Sequence, residues 1–256
     1  MARALFVKQD HASPGGLVEE AFSGLGYDVS EFLVVPAERY HCPDVTVRFP
    51  DPAGYDAIVA FGAAWAVYDD AAIGTWIHDQ IAFTRTALGL GVPVLGICFG
   101  GQMLAAAVGG QVSRAPEPEI GWHVISSADP GLIDPGPWFQ WHFDRFTVPA
   151  GIPVLARTSL ASQAFVTGRA LGLQFHPEVT AEVLECWLDA MGGAAELAAQ
   201  GVDTSALMAQ TRRLADVSRA RAHELVRRFS RQVASSPVVI PAPLTRANAT
   251  GITQRA

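Results

Sequence analysis

The stretch VPVLGICFGGQMLAAAVGG, residues 92–110, changes character at a single residue. Up to Ile97 it is short, apolar and β-branched, as a buried strand is; from Phe99 it is alanine-rich and helix-like. Cys98 stands at the junction, bracketed by Gly96 and Gly100. A strand that turns into a helix within two residues needs the first glycine for the sharp bend. It needs the second so that the helix can lie close to the strand it has left. G-x-C-x-G is the cysteine form of G-x-S-x-G, and it commits the chain to an α/β sheet with an exposed turn at a strand end. The cysteine itself has two readings, since a free thiol is also ordinary core filling.

The flanking sequence fits such a sheet. RALFV (3–7), YDVSEFLVV (27–35), DAIVAFG (56–62) and VPVLGI (92–97) read as strands, and 15–26 and 71–90 as helices between them. Strands alternating with helices imply a parallel sheet covered on both faces. The proline- and aspartate-rich stretch 36–55 reads as an irregular connection. Beyond residue 111 the texture shifts to short strand-like pieces separated by Gly and Pro, some expected to return to the sheet and some to form a small antiparallel unit. A helix is expected over about 180–191.

After residue 200 the chain changes again. Residues 203–233 read as one amphipathic helix with Asp203 as N-cap and Leu207, Leu214, Leu225 and Phe229 on one face. Arginines dominate this end, whereas the remainder is acidic enough to bring the whole chain to −7. Three segments follow: 1–200 as the main domain, 203–233 as a basic helical appendage expected to dock on it, and 234–256 as a proline-rich mobile tail.

Half of the 256 residues are hydrophobic and 17% are charged, enough for a large core. The negative charge argues against nucleic acid and anionic membrane as partners. The N-terminal MARALFVKQD enters a strand without a basic, then apolar, leader, and no segment is apolar for long enough to span a bilayer. The expected location is cytoplasmic. Cys42, Cys98 and Cys186 are widely spaced, without a C-x-x-C pair, so neither a disulfide framework nor a metal site is expected. Cys42 reads as a surface loop and Cys186 as core, while Trp122, Trp138 and Trp141 have two readings, walls of a pocket or, the commoner role, packing between short strands.

At a helix N-terminus, free N–H groups and the helix dipole favour a thiolate at Cys98, and the N–H of Phe99 is available to an oxyanion. A nucleophile needs a base, and LGLQFHPEVT (171–180) offers His176 after a strand-like run. Glu178, two residues on, lies on the same side in extended backbone, and Pro177 biases His176 away from helical geometry. A carboxylate so placed holds one imidazole tautomer and stabilises the imidazolium. Cys98, His176 and Glu178 therefore read as a relay.

GICFGGQ followed by GLQFHPEVT resembles the class I, triad-type glutamine amidotransferases, in motif order, spacing and local structure. DAIVAFGAAWAVYDD (56–70), EIGWHVI (119–125) and WHFDRFTVPAG (141–151) extend the resemblance over roughly 1–190, most of all to stand-alone relatives of the GMP synthase glutaminase domain. It implies a flavodoxin-like α/β fold, hydrolysis of the side-chain amide of L-glutamine and no cofactor. Cys98 would be the nucleophile, His176 the base and then acid, and Glu178 its partner. Ala63, in the loop after Gly62, would supply the second oxyanion N–H beside Phe99. Gly62, Gln102, His142 and Phe143 would border the substrate, in a loop running on to Asp144.

Two positions depart from the family pattern. Gly62-Ala63-Ala64 replaces Gly-Gly-Pro; if that backbone needs positive φ, alanine costs about 1 kcal/mol against glycine, and the oxyanion hole would form only on binding. Gly101 replaces a bulkier residue and is expected to widen the pocket. With no P-loop and no synthetase segment in the sequence, ammonia would pass to a separate synthetase subunit. A γ-glutamyl hydrolase acting on amine or peptide conjugates, and a non-catalytic regulatory subunit of the same fold, are the alternatives.

Overall fold

The computed structural model describes residues 1–190 and 192–236; the expected tail from 237 onward lies outside the described residues. The first half alternates as its sequence suggests: β1 (Ala2–Lys8), α1 (Gly16–Gly24), β2 (Tyr27–Leu33), β3 (Ala57–Ala60), α2 (Asp70–Gly89), β4 (Val94–Ile97) and α3 (Phe99–Ala107). Two 3₁₀ turns, Ala37–Arg39 and Pro52–Gly54, occupy the irregular stretch between β2 and β3. Then come β5 (Gln111–His123), β6 (Ser126–Ser127), β7 (Trp138–Thr147), β8 (Val154–Arg157), β9 (Ser162–Thr167) and β10 (Ala170–Leu173).

Eight strands make one sheet in the order β2-β1-β3-β4-β10-β9-β8-β6. The run from β2 to β10 is parallel, and the last three pairings are antiparallel. β3, β4 and β10 are buried at every residue, which is why AIVA, VLGI and ALGL read as unbroken apolar runs rather than alternating ones. Phe6, Phe22 and Phe61 belong to the core of one face, and Trp76, Phe99 and Met103 to that of the other. β5 and β7 pair with each other outside the sheet, as the small antiparallel unit.

The C-terminal part contains α4 (Ala181–Ala190), α5 (Gly193–Ala199), α6 (Thr204–Arg213), α7 (Ala215–Arg228) and a π-helical turn, Phe229–Val233. Where periodicity suggested one helix over 203–233, the structure has two, broken at Leu214. Asp203 caps α6 through Ala206 N–H at 3.0 Å. The break lets α6 and α7 follow different surfaces: Leu207 and Met208 join Val183 and Leu184, while Leu225, Val226 and Phe229 join the core over α1. Each such large side chain contributes about 1.5–3 kcal/mol by burial. The arginines face acids of the main body: Arg212 reaches Glu185 at 2.7 Å, Arg221 reaches Asp134 at 2.9 Å, and Arg219 pairs with Glu20. Exposed pairs of this kind add little singly, so the apolar face holds the helices and the charges set their register.

No helix among the described residues is long and apolar enough to cross a membrane.

Candidate active site

The carboxyl ends of β3, β4 and β10 converge, and the segments leaving them carry Gly62, Cys98 and His176. This is the edge at which ligands gather in open α/β sheets. Cys98 has φ 51° and ψ −109°, and is the one non-glycine residue with positive φ among those described. Such backbone costs of order 1–3 kcal/mol and persists only where the surroundings impose it. Here Cys98 N–H donates to Leu173 O at 2.9 Å and Gly100 N–H to Phe61 O at 3.1 Å, clamping the turn to both neighbouring strands. A Cβ on Gly100 would stand 2.1 Å from Ala60 O, so the elbow closes only with glycine there.

Gly101 corrects one expectation. A Cβ at that position would lie 2.2 Å from Leu173 O, against β10 and away from the cavity, so this glycine brings α3 onto the sheet and does not widen the pocket. The alanines also carry no penalty: neither Ala63 nor Ala64 has positive φ. Neither Ala63 N–H nor Phe99 N–H has an acceptor among the described residues, and both residues line the cavity over Cys98.

His176 Nδ1 lies 2.7 Å from Glu178 Oε1, with both side chains buried. The two are joined through a turn at Pro177-Glu178, where the sequence suggested extended backbone. His176 N–H donates to Phe139 O at 2.8 Å, and Leu17 N–H, at the start of α1, donates to Glu178 O at 3.1 Å. The imidazole is thus fixed by β7 from one side and, through Glu178, by α1 from the other. Burial alone would lower its pKa, but the Glu178 carboxylate and the Cys98 thiol favour the charged form and raise it to about 10. The point a Cβ on Gly62 would occupy lies 3.2 Å from His176 Cε1 and 3.7 Å from Cys98 Cβ, which brings the three residues together around one spot.

A cavity of about 370 Å³ opens over Cys98. Gly62, Ala63, Phe99, Gln102, His142 and Phe143 all line it. Gln102 Nε2 is shared between Asp144 O and Gln174 Oε1, each at 3.3 Å, and Gln174 Nε2 approaches Cys98 Sγ at 3.8 Å. The His142 ring is committed to the wall: Nδ1 is 2.9 Å from Asp144 O, and Nε2 is 3.3 Å from Glu119 Oε2 without good alignment for a hydrogen bond. Burial would raise the Glu119 carboxyl, but His142 and Thr158 outweigh it and hold the pKa below the usual value.

Sequence reasoning missed several residues in the cavity wall or behind it. Arg114 stands 3.9 Å from Asp144 Oδ1 and over the Phe143 ring at 4.6 Å, and Tyr68 Oη donates to Asp144 Oδ1 at 2.9 Å. Of the three tryptophans read as pocket wall or packing, Trp141 lines the cavity and donates through Nε1 to Glu196 Oε2 at 2.9 Å; Trp187 is edge-on to His176 with centroids 4.9 Å apart. No motif marks these residues, because strand register and the docking of α4 and α5 bring them in. Of the other cysteines, Cys42 is exposed as expected, and Cys186 is partly exposed where core was expected. No group of three metal-ligating side chains occurs among the described residues.

This fold and this edge define a family. Residues 39–185, more than half of the chain, match the model of glutamine amidotransferase class-I, and the chain belongs to that family. It is 41% identical over 128 residues to a GMP synthase (glutamine-hydrolysing) of Aeropyrum pernix, covering 45% of this chain and 25% of the relative. It is 33% identical over 160 residues to that of Thiobacillus denitrificans, covering 55% and 29%. The match thus spans little more than a quarter of these relatives' length. A glutamine amidotransferase from Thermotoga maritima superposes with a TM-score of 0.77 at 25% identity over 90% of this chain and 98% of its own. A glutamine amido transferase from Methylobacillus flagellatus, 21% identical with a TM-score of 0.74 over 90% and 94%, shares the fold.

Proposed function

We propose that the chain is a glutamine-hydrolysing amidotransferase subunit that cleaves the side-chain amide of L-glutamine and passes ammonia to a separate synthetase. The observation that carries this reading is a buried His176–Glu178 pair, 2.7 Å apart, beside a cysteine on a strained strand-to-helix turn. Membership of the amidotransferase family supports the same chemistry.

His176 takes the proton of the Cys98 thiol, and the thiolate attacks the amide carbon. The oxygen that becomes negative is met by the N–H groups of Phe99 and Ala63, the kind of preorganised donor worth about 10²–10³-fold each. His176 then protonates the leaving nitrogen and C–N cleavage frees ammonia. Water, deprotonated by His176, resolves the γ-glutamyl thioester to glutamate. Glu178 keeps the imidazole in the tautomer that presents Nε2 to the thiol. Gly62, Gln102 and Phe143 border the glutamyl group, and His142 stiffens the wall behind it.

Release of ammonia from glutamine by the purified chain, alone and with candidate synthetases, tests this reading. No release under either condition overturns it.

A further inference from the structure

Glutamine carries one ammonium and one carboxylate at its α-carbon and no charge at its amide end. The charges around the cavity exceed that need. Arg114 and Asp144 stand together at 3.9 Å and suit a zwitterion. Glu178 is taken up by His176, whose Nδ1 lies 2.7 Å from its Oε1. Glu196 remains. Its side chain is exposed, no cationic side chain pairs with it among the described residues, and its Oε2 accepts from Trp141 Nε1 at 2.9 Å.

The surroundings of Glu196 suit a cation. Trp141 meets Trp187 edge-on with centroids 5.9 Å apart, and Trp187 meets His176 at 4.9 Å. Two indoles and a carboxylate therefore stand on the His176 side of the cavity, the side to which a leaving nitrogen must turn to receive its proton. Aromatic faces attract organic cations, and a nearby carboxylate adds to that attraction. The Tyr40 hydroxyl senses the same field: burial first, then Asp10 and Glu196, push its pKa up to about 12. Trp187 and Glu196 both lie beyond residues 39–185, outside the region matched to the family.

We infer that Glu196, Trp141 and Trp187 form a subsite for a cationic leaving amine, so that the chain cleaves γ-glutamyl amides whose nitrogen substituent ends in an ammonium group. The inference rests on the Cys98 chemistry proposed above and adds to L-glutamine a second class of γ-glutamyl amide. Cys98 Sγ bonds to the γ-carbon, and the C–N bond breaks. The amine leaves with a proton from His176, and water then cleaves the thioester. The sum is amide plus water giving glutamate plus amine.

The test compares two γ-glutamyl amides of equal chain length on the full chain, one from a four-carbon diamine and one from the four-carbon alkylamine. The ammonium-bearing amide should have the higher kcat/KM by about tenfold, and E196Q should bring the ratio close to one. Equal values in the wild type, or a ratio that E196Q leaves standing, overturn the inference. Dissociation constants for the same pair, measured on Cys98→Ala with and without Glu196→Gln, make the test independent of turnover. A tenfold preference in Kd that Glu196→Gln removes upholds the subsite even if no amide is hydrolysed, which would sink the hydrolytic reading alone; equal Kd values overturn it.

Discussion

Leu17 N–H donates to Glu178 O at 3.1 Å, so the residue that grips the His176 imidazole is itself gripped by the first turn of α1. The same residue thus serves the ring with its side chain and the N-terminal helix with its backbone. Changing only the carboxylate should leave the second contact in place. Glu178→Gln should therefore fold normally and lower glutamine turnover less than His176→Ala does. The imidazole moves the proton, a step worth about 10²–10⁴-fold, whereas the carboxylate sets its tautomer. Steady-state rates for the two variants decide the matter; equal losses would assign Glu178 another role.

The raised pKa of His176 makes a prediction about stability. The ordinary value of 6.5 applies to the unfolded chain and about 10 to the folded one. The folded state therefore holds the proton more tightly, and the stabilisation is complete below about pH 6.5 and lost as pH rises towards about 10. Glu178→Gln removes the main stabilising neighbour. Its deficit against the wild type, read by urea unfolding, should be largest at the acidic end of that window and shrink towards the alkaline end. A deficit that grows with pH would contradict the assignment.

The backbone at Cys98 predicts an opposition between stability and activity. Both Cys98→Ala and Cys98→Gly should abolish hydrolysis, but only glycine relieves the positive φ. The glycine variant should be more stable than the alanine variant by about 1 kcal/mol. Urea midpoints for the pair check this, and identical midpoints would mean that the turn is not strained. In the wild type, a glutamine-like diazo-ketone should label Cys98 ahead of Cys42 and Cys186.

Gly62→Ala should act on the ring it faces. The new methyl would sit 3.2 Å from His176 Cε1, forcing a shift of a few tenths of an ångström. Misplacement of a proton-transfer group lowers kcat more than it weakens binding, here by about tenfold. A rise in KM with kcat unchanged would show that Gly62 serves binding alone.

Truncation after about residue 200 would strip Leu225, Val226 and Phe229 from the core over α1 and expose their apolar area at about 25 cal/mol per Å². The shortened chain should melt lower and aggregate more readily, and its glutaminase activity should fall through the loosened α1. An unchanged melting temperature would show that these helices do not brace the domain.

The readable part of the site was local in sequence. Cys98 with its glycines, and His176 with Glu178, are each fixed by a few consecutive residues whose turn chemistry is self-contained. The strands of the parallel sheet were readable for a related reason, since burial on both faces leaves an unbroken apolar run. What escaped was long-range. Arg114 reaches the cavity through the register that sets it opposite Asp144 across β5 and β7, and Glu196 through the docking of α5. The function of Gly101 depended on which atom it met, a carbonyl of β10. Leu214 continued the apolar pattern on paper, but the two surfaces that α6 and α7 follow required a break there.

The pairing of Glu20 with Arg219 closes a loop of 199 residues. Helix α1 finds its outer neighbour only when α7 arrives, so one side of the sheet acquires its cover late in folding. Contacts between residues so distant in sequence make for a high contact order and slow acquisition of the native state. Until α7 docks, Phe22 lacks its Phe229 neighbour, and α1, which anchors Glu178, lacks its outer support. Partly folded chains would therefore carry the thiol before they carry a firmly seated base, and refolding kinetics should show catalytic competence lagging behind the formation of helix and sheet.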